Sequence, residues 1–116
     1  MSEFVEHLVE VFQQFGAVRT RRMFGGYGVY HDDLMFGLVA DDTLYLKADN
    51  QSAKLFEGKG LSRFEYVKNG KSMKMSYYLA PEEIFDDPDA ATLWAQRAFD
   101  AALRSRKPAR KAKSKR

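Results

Sequence analysis

A chain of 116 residues has room for one domain with one core, and 45% apolar with 14% aromatic residues is enough to build it without covalent staples. There is no cysteine, which excludes disulfides, thiolate zinc sites and a cysteine nucleophile, and which fits a reducing cytoplasm. The formal net charge of +3 conceals a division: residues 104–116 hold eight of the 19 Lys and Arg and no carboxylate, leaving eleven basic against 16 acidic side chains before them.

The first predicted element is a helix. Ser2 suits an N-cap, Glu3 and Glu6 sit in the first turn, and Phe4, Leu8, Val11, Phe12 and Phe15 recur at helical spacing until Gly16 ends the run. Strand grammar follows. Val18 to Phe24 is β-prone but charged, Gly25-Gly26 breaks or bulges it, and Tyr27 to Tyr30 resumes. His31-Asp32-Asp33 reads as a turn, Leu34 to Ala40 is almost wholly apolar, and Asp41-Asp42 turns the chain again. Leu44, Leu46 and Ala48 then alternate with Tyr45 and Lys47. Three or four antiparallel strands in a meander are expected.

Asn50 or Ser52 could cap a short helix over 51–56, closed by Gly58 or Gly60. Phe64 and Tyr66, then Met73, Met75 and Tyr77, flank Asn69-Gly70, a strong hairpin signal because a type I′ turn needs positive φ at both central residues. Pro81-Glu82-Glu83 starts a helical turn. Asp87-Pro88 supplies an N-cap and an N1 proline for a last helix whose apolar side runs Ala91, Leu93, Trp94, Ala98, Ala101 and Ala102. Strands in runs, with helices between the runs, indicate an α+β domain: a two-layer structure with helices on one face of an antiparallel sheet. The domain is expected over residues 1–103, and the Lys/Arg/Ala/Pro/Ser segment 104–116 lacks apolar residues to bury and is expected to be disordered.

The segment Arg21-Arg22-Met23-Phe24-Gly25-Gly26-Tyr27-Gly28-Val29-Tyr30 resembles the signature of the TfoX/Sxy family, specifically its N-terminal domain. Leu44-Tyr45-Leu46-Lys47-Ala48 resembles the next block of that family. Met75-Ser76-Tyr77-Tyr78, Pro81-Glu82 and a Trp-containing last helix resemble the rest. The resemblance implies the order α-β(3)-α-β(2)-α and a regulator of natural competence that helps a cyclic-AMP-responsive transcription activator. It implies no catalytic residues and no cofactor. The resemblance also implies a second, C-terminal helical domain in the family's regulators, and the basic segment 104–116 is expected to stand in its place here.

Arg19, Arg21 and Arg22 precede the glycine pair; alternation puts Arg19 and Arg21 on one face and Arg22 on the other. Their planar forks suit a phosphate or a partner's carboxylate, although an edge strand also carries charge merely to prevent edge pairing. Gly25, Gly26 and Gly28 lack the spacing of a phosphate loop and read as turn or bulge glycines. His7 and His31, with the Asp pairs at 32/33, 41/42 and 86/87, read as surface and turn residues and not as a metal site. Met73 and Met75 are expected to face the core. The six tyrosines suggest an aromatic platform for single strands, but with no neighbouring basic surface in view they read as packing residues.

The tail offers Arg104, Arg106, Lys107, Arg110, Lys111, Lys113, Lys115 and Arg116, suited to weak, sequence-blind DNA binding, to screening of the acidic body, or to an acidic protein partner. No segment has the length and apolarity of a membrane span. The chain is therefore expected to be a cytoplasmic, non-enzymatic regulatory domain. Its expected partners are a protein such as a transcription activator and DNA through the tail. The alternative is a homodimerising interaction domain with no nucleic-acid role.

Overall fold

A computed structural model describes residues 3–23 and 25–106. Helix α1 (Glu3–Val11) buries Val5, Leu8 and Val11. It stops short of the Phe15 expected from periodicity: the chain goes on in turns, and the Gly16 N–H bonds the Phe12 carbonyl at 3.0 Å. Gly16 has φ 154°, and a Cβ there would lie 2.8 Å from Cε1 of His31, so the glycine is set by what lies beneath it. The proposed cap Ser2 lies outside the described residues.

Strands β1 (Arg19–Met23), β2 (Gly26–His31), β3 (Leu34–Ala40) and β4 (Thr43–Lys47) form an antiparallel meander. The glycine pair does break the first β-prone run, which makes four strands. Gly25 has φ 77°, and a Cβ on Gly26 would collide with the carbonyl oxygen of Val39 on β3. The next two connections are two-residue turns in which Asp32, Asp33, Asp41 and Asp42 all have φ between 51° and 63°. Asn69-Gly70, with φ 53° and 76°, makes the same kind of turn between β5 (Arg63–Lys68) and β6 (Lys71–Leu79). Right-handed strand twist favours these mirror-image turns, and Asp and Asn tolerate the left-handed backbone better than most residues.

Between the two strand runs lies α2 (Ala53–Glu57). Ser52 is its N-cap residue, but its hydroxyl does not cap the helix; it bonds the Asp49 carboxylate and amide instead. The sheet order is β1-β2-β3-β4-β6-β5, so β1 and β5 are the edges. A 3-10 turn (Glu82–Phe85) leads into α3 (Pro88–Ser105), where the Asp87 carboxylate accepts from the Asp89 and Ala90 amides at 3.0 and 3.3 Å.

All three helices lie on one face of the sheet, over one core that includes Leu8, Phe12, Val29, Phe36, Leu46, Phe56, Tyr78 and Trp94. Small residues on α3, among them Ala91, Ala95 and Ala98, let it approach β3 and β4 closely, while Trp94 packs on Phe56 with ring centroids 5.0 Å apart. A register shift between Val29 and Tyr30 makes Phe36 the extra residue of β3. That bulge explains an apolar run in which both Phe36 and Val39, of opposite parity, join the same core.

Three expectations need correction. Leu93 is 48% exposed, outside the buried stripe of α3. Met73 is 50% exposed because it pairs with Tyr66, which shares Phe64's side of β5 and so faces away from the helices, and Met75 is half-buried outside the core. Helix α3 continues through Ser105, so Arg104 belongs to the helix rather than to a tail beginning at 104.

Candidate functional site

With the helices on one side, the other side of the sheet is open among the described residues, and pairing register fixes which side chains stand there. One row crosses from Arg19 through Tyr30 to Met35, and Lys47 faces Tyr77 farther along the sheet. A parallel row runs Arg21, Gly28, Leu38, Tyr45 and Leu79 without interruption across five strands. Phe64 of β5 joins its end, with its ring centroid 4.7 Å from that of Tyr45. Thr20 and Arg22 alternate to the helix side with Val29 and Tyr27.

The open face is densely furnished. Gly28 has no side chain of its own, and Met23 Sδ, Tyr30 Cε1 and Met35 Sδ lie 2.7, 2.9 and 3.1 Å from where its Cβ would stand. Leu38 and Tyr77 are buried by their neighbours although no helix covers them, while Met23, Tyr30, Met35, Tyr45, Phe64 and Leu79 remain part-exposed. Two cations lie over rings: Arg21 Cζ is 5.7 Å from the Tyr30 centroid and Lys47 Nζ 5.3 Å from that of Tyr77. Lys47 also donates to Ser76 Oγ at 2.6 Å. Burial pulls the Lys47 ammonium below its ordinary range, an effect the nearby Asp49 charge partly opposes. Burial, with a smaller effect from Tyr30, pushes the Tyr77 phenol up to about 12.

The candidate arginines separate in three directions. Arg19 reaches Asp33 at 3.8 Å, a solvent-exposed pair that holds it only weakly. Arg21 stays on the open face. Arg22 stands on the other side, at a shallow depression lined with Met23, Gly25, Gly26 and Tyr27. Arg104 is engaged in the fold: its Nε and Nη2 donate to the Asp49 carboxylate at 2.6 and 3.0 Å, tying the end of α3 to the loop after β4. Arg106 is exposed just beyond that helix. Lys107, Arg110, Lys111, Lys113, Lys115 and Arg116 lie outside the described residues.

The structure brings the tyrosines to both faces, Tyr27 and Tyr78 toward the helices and Tyr30, Tyr45 and Tyr77 toward the open side. Tyr78 donates to Glu57 at 2.7 Å, and that bond is the first cause of its raised pKa. His31 is not the surface residue its turn context suggested. Its side chain is 19% exposed, Nδ1 lies 2.7 Å from the Ala17 carbonyl, and its ring packs on Phe15 and Phe99 at 4.6 and 5.0 Å. His7 stays exposed beside Glu10.

Lys47 is the site residue that the site reading of the sequence missed, although its place between Leu46 and Ala48 in an alternating strand already directed it away from the core. A basic surface does lie beside the aromatics, since Arg19, Arg21 and Lys47 share the open face with them. Among the described residues no three His, Asp or Glu side chains converge as a metal site would require, and no helix is long and apolar enough to cross a membrane.

A family model described as the TfoX N-terminal domain matches residues 10–102. Over 93 residues, 80% of this chain, the sequence is 32% identical to the DNA transformation protein TfoX1 of Aliivibrio fischeri, of which it covers 44%. Over 97 residues, 84% of this chain, it is 30% identical to protein Sxy of Escherichia coli, of which it covers 46%. The chain thus spans less than half the length of these relatives.

Proposed function

The chain belongs to the TfoX N-terminal domain family, and from that membership we propose that it is a non-enzymatic regulatory domain of DNA transformation or competence that works by contact. The observation that supports this reading is the open sheet face. A contiguous aromatic and methionine surface, with cations over two of its rings, is what a two-layer domain offers a partner. Tyrosine, methionine and arginine are also the residue types enriched where macromolecules meet. The basic residues from Arg106 onward add weak, sequence-blind attraction to DNA at the far end of α3. In the family's setting the regulatory partner is a protein such as a transcription activator.

The experiment is a substitution in the middle of the open face, Tyr45→Glu, compared with the unaltered chain for transformation frequency in a host lacking its own copy. A buried-face fold should tolerate the change with a small loss of melting temperature, while the regulatory output falls to that of the null strain. Full output from a folded Tyr45→Glu protein would show that the open face is not the working surface.

A further inference from the structure

We propose that the open face of the sheet binds single-stranded nucleic acid, with Arg21 and Lys47 on phosphates and Tyr30, Tyr45 and Phe64 against bases. This rests on the reading of that face as the working surface and names what it contacts.

The argument begins with charge. The first 103 residues carry more acid than base, yet none of that acid comes from the strands of the open face. The only carboxylate within any of the six strands is Glu65, which alternates away from Phe64 and Tyr66. The acids lie on helices and turns: Glu3, Glu6 and Glu10 on or beside α1, the Asp pairs in the hairpin turns, Glu82 and Glu83 before α3. Folding therefore sorts a mixed sequence into an acidic helix layer and a sheet face whose charges are cationic, with Arg19, Arg21 and Lys47 beside the rings and Lys68 and Lys71 at the far hairpin. Asp33, on the turn, lies 3.8 Å from Arg19, and Asp49, whose charge acts on Lys47, is held by the Arg104 fork.

The rings complete the case. Tyr30, Tyr45 and Phe64 come from three different strands, are part-exposed, and lie within one sheet surface beside the cations. Aromatic faces on a flat sheet next to positive charge suit splayed bases with their phosphates alongside. Lys47 adds a specific reason for an anion. It is a half-buried ammonium among rings, and a phosphate would replace the hydration that the site withholds. A second copy of this chain set face to face would bring like charges together and leave Lys47 worse off. A duplex hides its base faces within the stack, so it could use the cations but not the rings. An acidic peptide segment would likewise engage the cations alone.

The full-length chain labelled at its methionine methyls tests this directly, because Met23 and Met35 stand on the face itself. Three probes are titrated: oligothymidylate of about twelve nucleotides, a duplex of the same length, and oligoglutamate. The expected result is saturable movement of the Met23 and Met35 signals at a much lower concentration of oligothymidylate than of the other two, which reach the cations alone. Lys47→Gln and Tyr45→Leu should each weaken that titration about fivefold to 30-fold while methyl dispersion shows the fold intact. Unmoved signals, equal movement with duplex, or unchanged affinity in both variants would overturn the inference. Movement with oligoglutamate alone would overturn it too, while leaving the open face as a contact surface for a protein. Repeating the titration on a chain ended after Arg106 keeps contacts made by the later basic residues out of the result.

Discussion

Asp49 does more than its place in a short loop suggests. Its carboxylate accepts from the amides of Gln51 and Ser52 and from the Ser52 hydroxyl, and it receives both nitrogens of the Arg104 fork. The Arg104 hydrogen bond is the largest of the causes that hold Asp49 well below the usual carboxylate range. A depressed carboxylate pKa means the unfolded chain takes up its proton first, so this stabilisation is present above the unfolded value near 3.9 and disappears as pH falls through the folded one. The stability difference between the protein and its Asp49→Asn variant should therefore be constant above about pH 5 and shrink steadily below it. Urea melts at a series of pH values would show this; a gap that widened on acidification would refute it. Because Arg104 is 38% exposed, solvent screens the pair, and Arg104→Ala should cost only about 1 kcal/mol.

At the level of elements, the hairpins show how composition and backbone conformation agree or compete. Asn69-Gly70 places glycine where φ is 76°, and no strain results. Asp41-Asp42 holds two aspartates at φ 52° each, a conformation that L side chains adopt at some cost. Replacing Asp42 by glycine should raise stability by about 0.5–1 kcal/mol, as the relief of the left-handed backbone outweighs the added freedom of the unfolded chain. Thermal unfolding of Asp42→Gly checks this, and a lowered melting temperature would mean that the carboxylate has a role in the turn beyond backbone tolerance. The Asp-Asp pairs were legible as turns, but their handedness follows only from the strands they join, whose twist selects the mirror-image type. Helix α1 shows the opposite case. Its periodicity extends through Phe12 and Phe15, yet the helix ends at Val11, because Phe15 packs on Phe36 and on the His31 ring from a turn rather than from a helical position.

For the whole molecule, the division of charge proves to be spatial as well as sequential. The basic run after residue 103 is visible at once, but Arg104 is committed to Asp49, so the first of these residues offered to DNA is the exposed Arg106. A chain ended after Arg106 should lose low-salt retention of duplex DNA with almost no change in melting temperature, whereas one ended after residue 103 should also lose stability with the Arg104 bridge. In the intact chain, retention should fall steeply as salt rises from about 50 to 200 mM, since it rests on counterion release. A salt-series retention assay beside calorimetry on both truncations decides the matter; undiminished retention after removal of 107–116 would remove the tail from DNA binding.

Spacing alone revealed most of the elements and their order: the helical repeat of α1, the alternation of β4, the Asn-Gly hairpin and the Asp-Pro start of α3 are local patterns with local causes. The family signature around Arg22 and the excess of base at the C-terminus were also plain in the letters. Faces were another matter. Which tyrosines meet the helices, why His31 is enclosed, and that Arg21 and Lys47 share one surface depend on the register of β1 through β4, on β6 pairing with β4 and on the extra residue in β3. Those are contacts between residues far apart in the chain, and a single bulge or an exchange in strand order reassigns them, because side-chain direction reverses with each residue of a strand.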